Sequence, residues 1–108
     1  CLLFGALSDK EVGGMLRAWR GLVRRLVVTR PENPRALDPA VIEAEKFLPG
    51  VPVERIHRVT RAFERALEAR ANGELVCVTG SCYTVGEVLG AIRSLRGREG
   101  LDIARSAW

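Results

Sequence analysis

Short apolar runs alternate along the chain with stretches in which apolar residues recur every three or four positions. The run Leu2-Leu3-Phe4 stops at Gly5, and Ser8 with Glu11 then has the S-x-x-E spacing of a helix capping box. Val12, Met15, Leu16 and Trp19 fall at i, i+3, i+4 and i+7, which predicts one helix face ended by Gly21. Gly13 and Gly14 each weaken this helix by about 1 kcal/mol relative to Ala, so packing has to hold it. Leu26-Val27-Val28-Thr29 is a β-branched run of strand length. It stops at Arg30-Pro31-Glu32-Asn33-Pro34-Arg35, where the prolines forbid a sheet or helix interior. Asp38 caps a second helix with Pro39 at its first position, and Pro49-Gly50 ends it. Val51 to Ile56 is a third run. Pro52 interrupts it, which predicts a short strand near a sheet edge.

Thr60 opens a third helix with Phe63, Ala66 and Leu67 on one face, stopped at Asn72-Gly73. Leu75-Val76-Cys77-Val78-Thr79 is apolar throughout rather than alternating, as in a strand covered on both faces. After Gly80-Ser81 a fourth helix carries Val85, Val88, Leu89, Ile92 and Leu95, and Gly97 ends it. Residues 98–108 read as a tail without a clear period, so the domain is placed at 1–97. Four strands joined by connections of helix length require parallel pairing. The predicted class is α/β: a three-layer, open, mostly parallel sheet with flanking helices.

Composition narrows the function classes. With 47% apolar and 28% charged residues among 108, the chain is an ordinary globular domain. No run approaches the ~20 apolar residues that span a bilayer, so no membrane partner is expected. Aromatics are 6%, too few for a stacking platform, and the net charge of +4 is interleaved with Glu rather than gathered in a stripe. Nucleic acid is therefore not an expected partner. Cys1, Cys77 and Cys82 form neither a C-x-x-C pair nor a ligand cluster, so neither disulfides nor a metal site is expected, and a reducing cytoplasm is the simplest setting. The chain opens on Cys1 in mid-strand, without a cap or turn before it. The expectation is missing upstream sequence: a fragment, a truncated product or a degenerate copy.

In an open parallel sheet, ligands bind beyond the C-terminal ends of the strands. Three segments qualify: Gly5 to Lys10, Arg30 to Arg35, and Thr79 to Tyr83. Ser81 follows a glycine at a helix start, where a hydroxyl and free amides suit a carboxylate or phosphate; it is equally read as a plain N-cap. Arg35 on the stiff Asn33-Pro34-Arg35 loop can grip a carboxylate bidentately, or be a solvated turn arginine. Lys10 opposes the first helix dipole unless it meets an anion, or is a tethered surface lysine. His57, the only histidine, has no partner at a telling spacing and reads as structural, and the Met15 and Trp19 stripe reads as core. There is no G-x-x-x-x-G-K-[ST] loop, no G-x-G-x-x-G and no nucleophile elbow, hence no complete catalytic constellation.

Three segments carry a resemblance. Phe4-Gly5-Ala6-Leu7-Ser8-Asp9-Lys10, Thr29-Arg30-Pro31-Glu32-Asn33-Pro34-Arg35-Ala36 and Val78-Thr79-Gly80-Ser81-Cys82-Tyr83-Thr84-Val85-Gly86-Glu87 resemble the C-terminal domain of bacterial folylpolyglutamate synthase/dihydrofolate synthase. The Asn-Pro-Arg loop is similar, more distantly, to the amino-acid-binding loop of the Mur ligases. Glu32 stands where the family has Asp, and Cys82 and Thr84 where it is often aliphatic. The family's earlier strand, ending in His-Asn, and its following helix have no counterpart in these residues.

The resemblance implies a Rossmann-like C-terminal domain of a Mur-type ligase of folate biosynthesis and one-carbon metabolism. In that reaction ATP phosphorylates a pteroate or folate carboxylate, and the glutamate amine displaces the phosphate. It implies ATP and Mg2+ as cofactors, held mainly by an N-terminal ATPase domain that is the expected partner, with glutamate and folate or dihydropteroate as substrates. Arg35, with Asn33 beside it, then corresponds to the carboxylate-gripping arginine. Ser81 corresponds to the glutamate-contacting serine, and Lys10 to a residue near phosphate. No catalytic residue is expected within this chain, which alone should be inactive. The alternative reading is a non-catalytic carboxylate-binding or scaffold module derived from that domain.

Overall fold

A computed structural model describes residues 1–99, with side chains to residue 94. Four strands form one wholly parallel sheet: β1 (Leu2–Phe4), β2 (Leu26–Arg30), β3 (Val53–Arg58) and β4 (Cys77–Thr79), in the order β3-β2-β1-β4. Between and after them lie α1 (Val12–Arg17), α2 (Pro39–Glu45), α3 (Val59–Ala69) and α4 (Cys82–Glu99).

The unbroken apolar runs of β1 and β2 follow from burial on both faces. Leu2, Phe4, Leu26 and Val28 face one core with Val12, Leu16 and Ile42 of α1 and α2. Leu3 and Val27 face the other, with Val59, Ala62, Phe63 and Ala66 of α3 and Val88 and Ile92 of α4. The helices change face because the chain reverses direction along the sheet: β1 to β3 step outward one way, and α3 carries the chain back past them to β4. A right-handed crossover running the other way must place its helix on the other side.

Several local expectations are corrected. The Ser8–Glu11 capping box does not form; Glu11 is the N-cap without a side-chain bond, and α1 ends at Arg17 instead of reaching Gly21. The cause is tertiary. The backbone of residues 6–8 is taken by hydrogen bonds to the loop after β2, described below. Asp38 caps α2 as expected, its Oδ1 accepting the Ala40 amide at 2.9 Å. That helix stops at Glu45, where Lys46 turns left-handed (φ 49°), ahead of Pro49. α3 starts at Val59, one residue before Thr60. Pro52 precedes the edge strand β3 and gives only its carbonyl, to the Leu26 amide. β4 is an edge strand and only half-buried rather than fully covered, with Cys77 against one core and Val78 against the other, and Leu75 before it is exposed. Leu89 is exposed on α4, whereas Val88 and Ile92 are buried. α4 runs through Gly97 to Glu99. The Leu95 side chain, and the expected tail from residue 100 on, lie outside the described residues.

Two glycines fasten β1 to β4. Gly80 sits at φ +110° with its backbone against Gly5, and a Cβ on it would lie 2.5 Å from the Gly5 carbonyl oxygen. The same carbonyl accepts the buried Thr84 hydroxyl at 2.8 Å. Thr84→Val keeps the shape and strands that carbonyl, an expected loss of about 1–3 kcal/mol. Thermal melts should show a drop on the order of 10 °C.

Candidate functional site

All strands point the same way, so the loops after β1, β2 and β4 emerge on one edge. Lys10, Arg35 and Ser81 therefore share that edge. β2 and β4 flank β1, and their loops are rooted roughly 10 Å apart, two strand spacings. The crossovers change direction between β1 and β4, the crevice where such sheets hold ligands.

The three loops are tied into one platform. Leu37 donates its amide to the Ala6 carbonyl (2.9 Å), Ser8 donates to the Arg35 carbonyl (2.7 Å), and Leu7 bridges Ala36 in antiparallel fashion. The loop after β1 is thus zipped to the loop after β2. From α4, the Thr84 hydroxyl reaches Gly5, and Glu87 Oε2 accepts the Glu32 amide at 2.8 Å.

Within this platform each candidate residue has a definite state. Asn33 Oδ1 accepts the Arg35 amide at 2.9 Å, which shapes the turn and leaves the side-chain NH2 to donate elsewhere. Arg35 is exposed; its Nη1 lies 3.4 Å from Asp9 Oδ2, a long ion pair between two exposed groups that contributes little to stability. Ser81 is the N-cap of α4: its Oγ accepts the Tyr83 amide at 3.1 Å, and the hydroxyl hydrogen remains to donate. Lys10 is exposed two residues before α1 and makes no ion pair among the described residues. The strongest ionic cluster lies elsewhere. Glu54 of β3 takes two bonds from Arg65 and one from Arg25, and the Arg65 hydrogen bond above all holds its carboxyl below the ordinary range.

Sequence reasoning passed over Thr84 and Glu87 as functional positions. Thr84 falls four residues before Val88 and eight before Ile92, on the buried stripe, so a polar residue there signals a buried partner. Glu87 carried no such signal, because its partner is a loop amide 55 residues away.

Residues 1–82 match the family described as Mur ligase, glutamate ligase domain. The chain belongs to that family. Among solved structures, a bifunctional folylpolyglutamate synthase/dihydrofolate synthase of Yersinia pestis, complexed with AMPPNP and a manganese ion, resembles this glutamate ligase domain with a TM-score of 0.71 at 25% identity. That match covers 85% of this chain and 22% of the Yersinia one. Folylpolyglutamate synthase of Mycobacterium tuberculosis, complexed with ADP and AMPPCP, gives a TM-score of 0.66 at 31% identity over 91% of this chain and 23% of its own. Its ADP complex gives 0.68 at the same identity and coverage. The glutamate ligase domain thus spans less than a quarter of each of these chains. No curated protein matches.

The neighbouring structures hold a nucleotide, and one of them a manganese ion. The sequence of this domain has no phosphate loop, and among the described residues no three His, Cys, Asp or Glu side chains gather as metal ligands. Nor is any helix of the described residues long and apolar enough to cross a membrane.

Proposed function

We propose that this domain is the C-terminal part of an ATP-dependent folylpolyglutamate/dihydrofolate synthase and holds the incoming glutamate for amide ligation to a folate carboxylate. The observation that supports it is the platform: hydrogen bonds fix the loops bearing Asn33, Arg35 and Ser81 at one sheet edge. Arg35 exchanges Asp9 for a glutamate carboxylate, with two parallel N–H donors. The Asn33 NH2, the Ser81 hydroxyl and the first turn of α4 add donors around it. Lys10 stands on the same edge to meet a phosphoryl oxygen. With the carboxylates held, the glutamate amine is left free to attack the acyl phosphate. ATP supplies that activation and, with Mg2+, belongs to the N-terminal domain of the same enzyme, in the cytoplasm.

Two measurements test the reading. The isolated 108-residue chain should show no folate-stimulated ADP release; clear turnover contradicts the division of labour. In the full-length enzyme carrying this domain, glutamate-dependent ADP release should require a folate or dihydropteroate acceptor. Release with a muramoyl peptide acceptor instead would assign a different Mur-type ligase.

A further inference from the structure

A second feature of the strand-end edge adjoins the glutamate platform and shares Glu32, Asn33 and Glu87 with it. Beyond the ends of β2 and β3 opens a cleft of about 270 Å³, with Arg30, Arg58, Glu32 and Glu87 as its charged lining beside His57, Asn33 and Val59. Arg30 and Arg58 are register partners across the β2–β3 pair. Like charges so placed repel each other. Neither guanidinium has a carboxylate within ion-pair distance among the described residues, although Arg25, Arg61 and Arg65 nearby all do. Glu32 and Glu87 share the lining but neither pairs with these guanidiniums, and Glu87 Oε2 accepts the Glu32 amide. Val59 in the lining begins α3, which has no side-chain cap and no acidic residue in its first turn.

From this arrangement we infer an oxyanion subsite: a phosphate or carboxylate group seated between the Arg30 and Arg58 guanidiniums. Planar forks on adjacent strands suit an anion that bridges them. Unpaired with the arginines but close by, Glu32 and Glu87 offset part of the long-range field, so recognition rests on direct contact and admits one anionic group rather than a polyanion. Asn33 borders both sites, but Arg35 does not line this cleft and neither Arg30 nor Arg58 has a role in the glutamate reading, so variants of those two test the inference separately.

The test uses the 15N-labelled chain, titrated with sodium phosphate and separately with sodium propionate, against sodium chloride at matched ionic strength. Saturable shifts are expected at the Arg30 and Arg58 Nε–H signals and the Val59 amide, with a midpoint in the millimolar range. Losing one charge-assisted partner should weaken binding about fivefold or more in Arg30→Gln and in Arg58→Gln. Arg61→Gln, on α3 but outside the cleft, should leave it unchanged. Tighter phosphate assigns a phosphoryl ligand and tighter propionate a carboxylate; either supports the subsite. Shifts that do not saturate, shifts spread equally over Arg17, Arg20 and Arg61, or full affinity in both cleft variants would overturn it.

Discussion

Replacing Arg35 with Ala in the full-length ligase should raise KM for glutamate about tenfold or more and leave KM for ATP nearly unchanged. The argument begins with the backbone. Arg35 donates its amide to Asn33 and accepts the Ser8 amide on its carbonyl, so truncating the side chain removes the guanidinium without releasing the loop. The side chain is exposed and its link to Asp9 is long, so folding loses little. What remains is the ligand term. Hydrogen bonds to charged groups contribute roughly 1.5–3 kcal/mol each, and ~1.4 kcal/mol is a factor of ten in affinity. Arg35→Lys should recover only part of the loss, because an ammonium cannot reproduce the two-pronged geometry. Steady-state kinetics with glutamate and ATP varied separately decide the matter. A change confined to ATP dependence removes the carboxylate role.

Gly80→Ala should be among the most damaging single substitutions in the domain. Two effects add. At φ +110° an L-residue is strained, by about 1–2 kcal/mol on the left-handed scale. The new Cβ also meets the Gly5 backbone at 2.5 Å, and backbone cannot swing aside as a flexible side chain can. Overpacking of this kind costs about 1–3 kcal/mol. The sum, roughly 2–5 kcal/mol, should lower the melting temperature by about 10–30 °C for a domain of this size. Gly86→Ala is the control. It lies within α4 with open space around a new Cβ, and should stabilise slightly, by about 0.5–1 kcal/mol. If both variants melt within a few degrees of the parent, the account of the β1–β4 contact is wrong.

The layers were legible because burial is periodic and local. Two-sided burial made Leu2 to Phe4 and Leu26 to Thr29 continuous apolar runs, and Pro52 marked β3 as an edge. The edge position of β4 was not legible. The apolar run from Leu75 to Thr79 promises full cover, yet the strand pairs only with β1. The ends of α1 were misread for a different reason. A capping box is a local motif, and here the backbone around Ser8 has a stronger non-local partner in the loop at Arg35.

For the candidate site, the strand-end rule put Lys10, Arg35 and Ser81 on one edge, where the structure also has them, since the rule depends only on strand direction. It could not show that Ser81 caps α4, nor that Asn33 spends its carbonyl on the turn. It also missed the cleft, which depends on Arg30 and Arg58 falling in register, a matter of pairing rather than composition.

The zipper between the loops after β1 and β2 bears on how such a domain changes over generations. Each loop uses the other as its hydrogen-bond partner, at Ala6 with Leu37 and at Ser8 with Arg35. An inserted or deleted residue in either one shifts that register and strands amides in both. Length variation at this edge must therefore arrive as matched pairs of changes, which are rare, while single residue replacements remain open. The turns at the opposite edge, around residues 18–25, 46–52 and 70–76, have no such mutual ladder among the described residues and can lengthen singly. Among descendants of this sequence, insertions should accumulate at that opposite edge, and new ligand preferences should come from substitutions within loops of constant length.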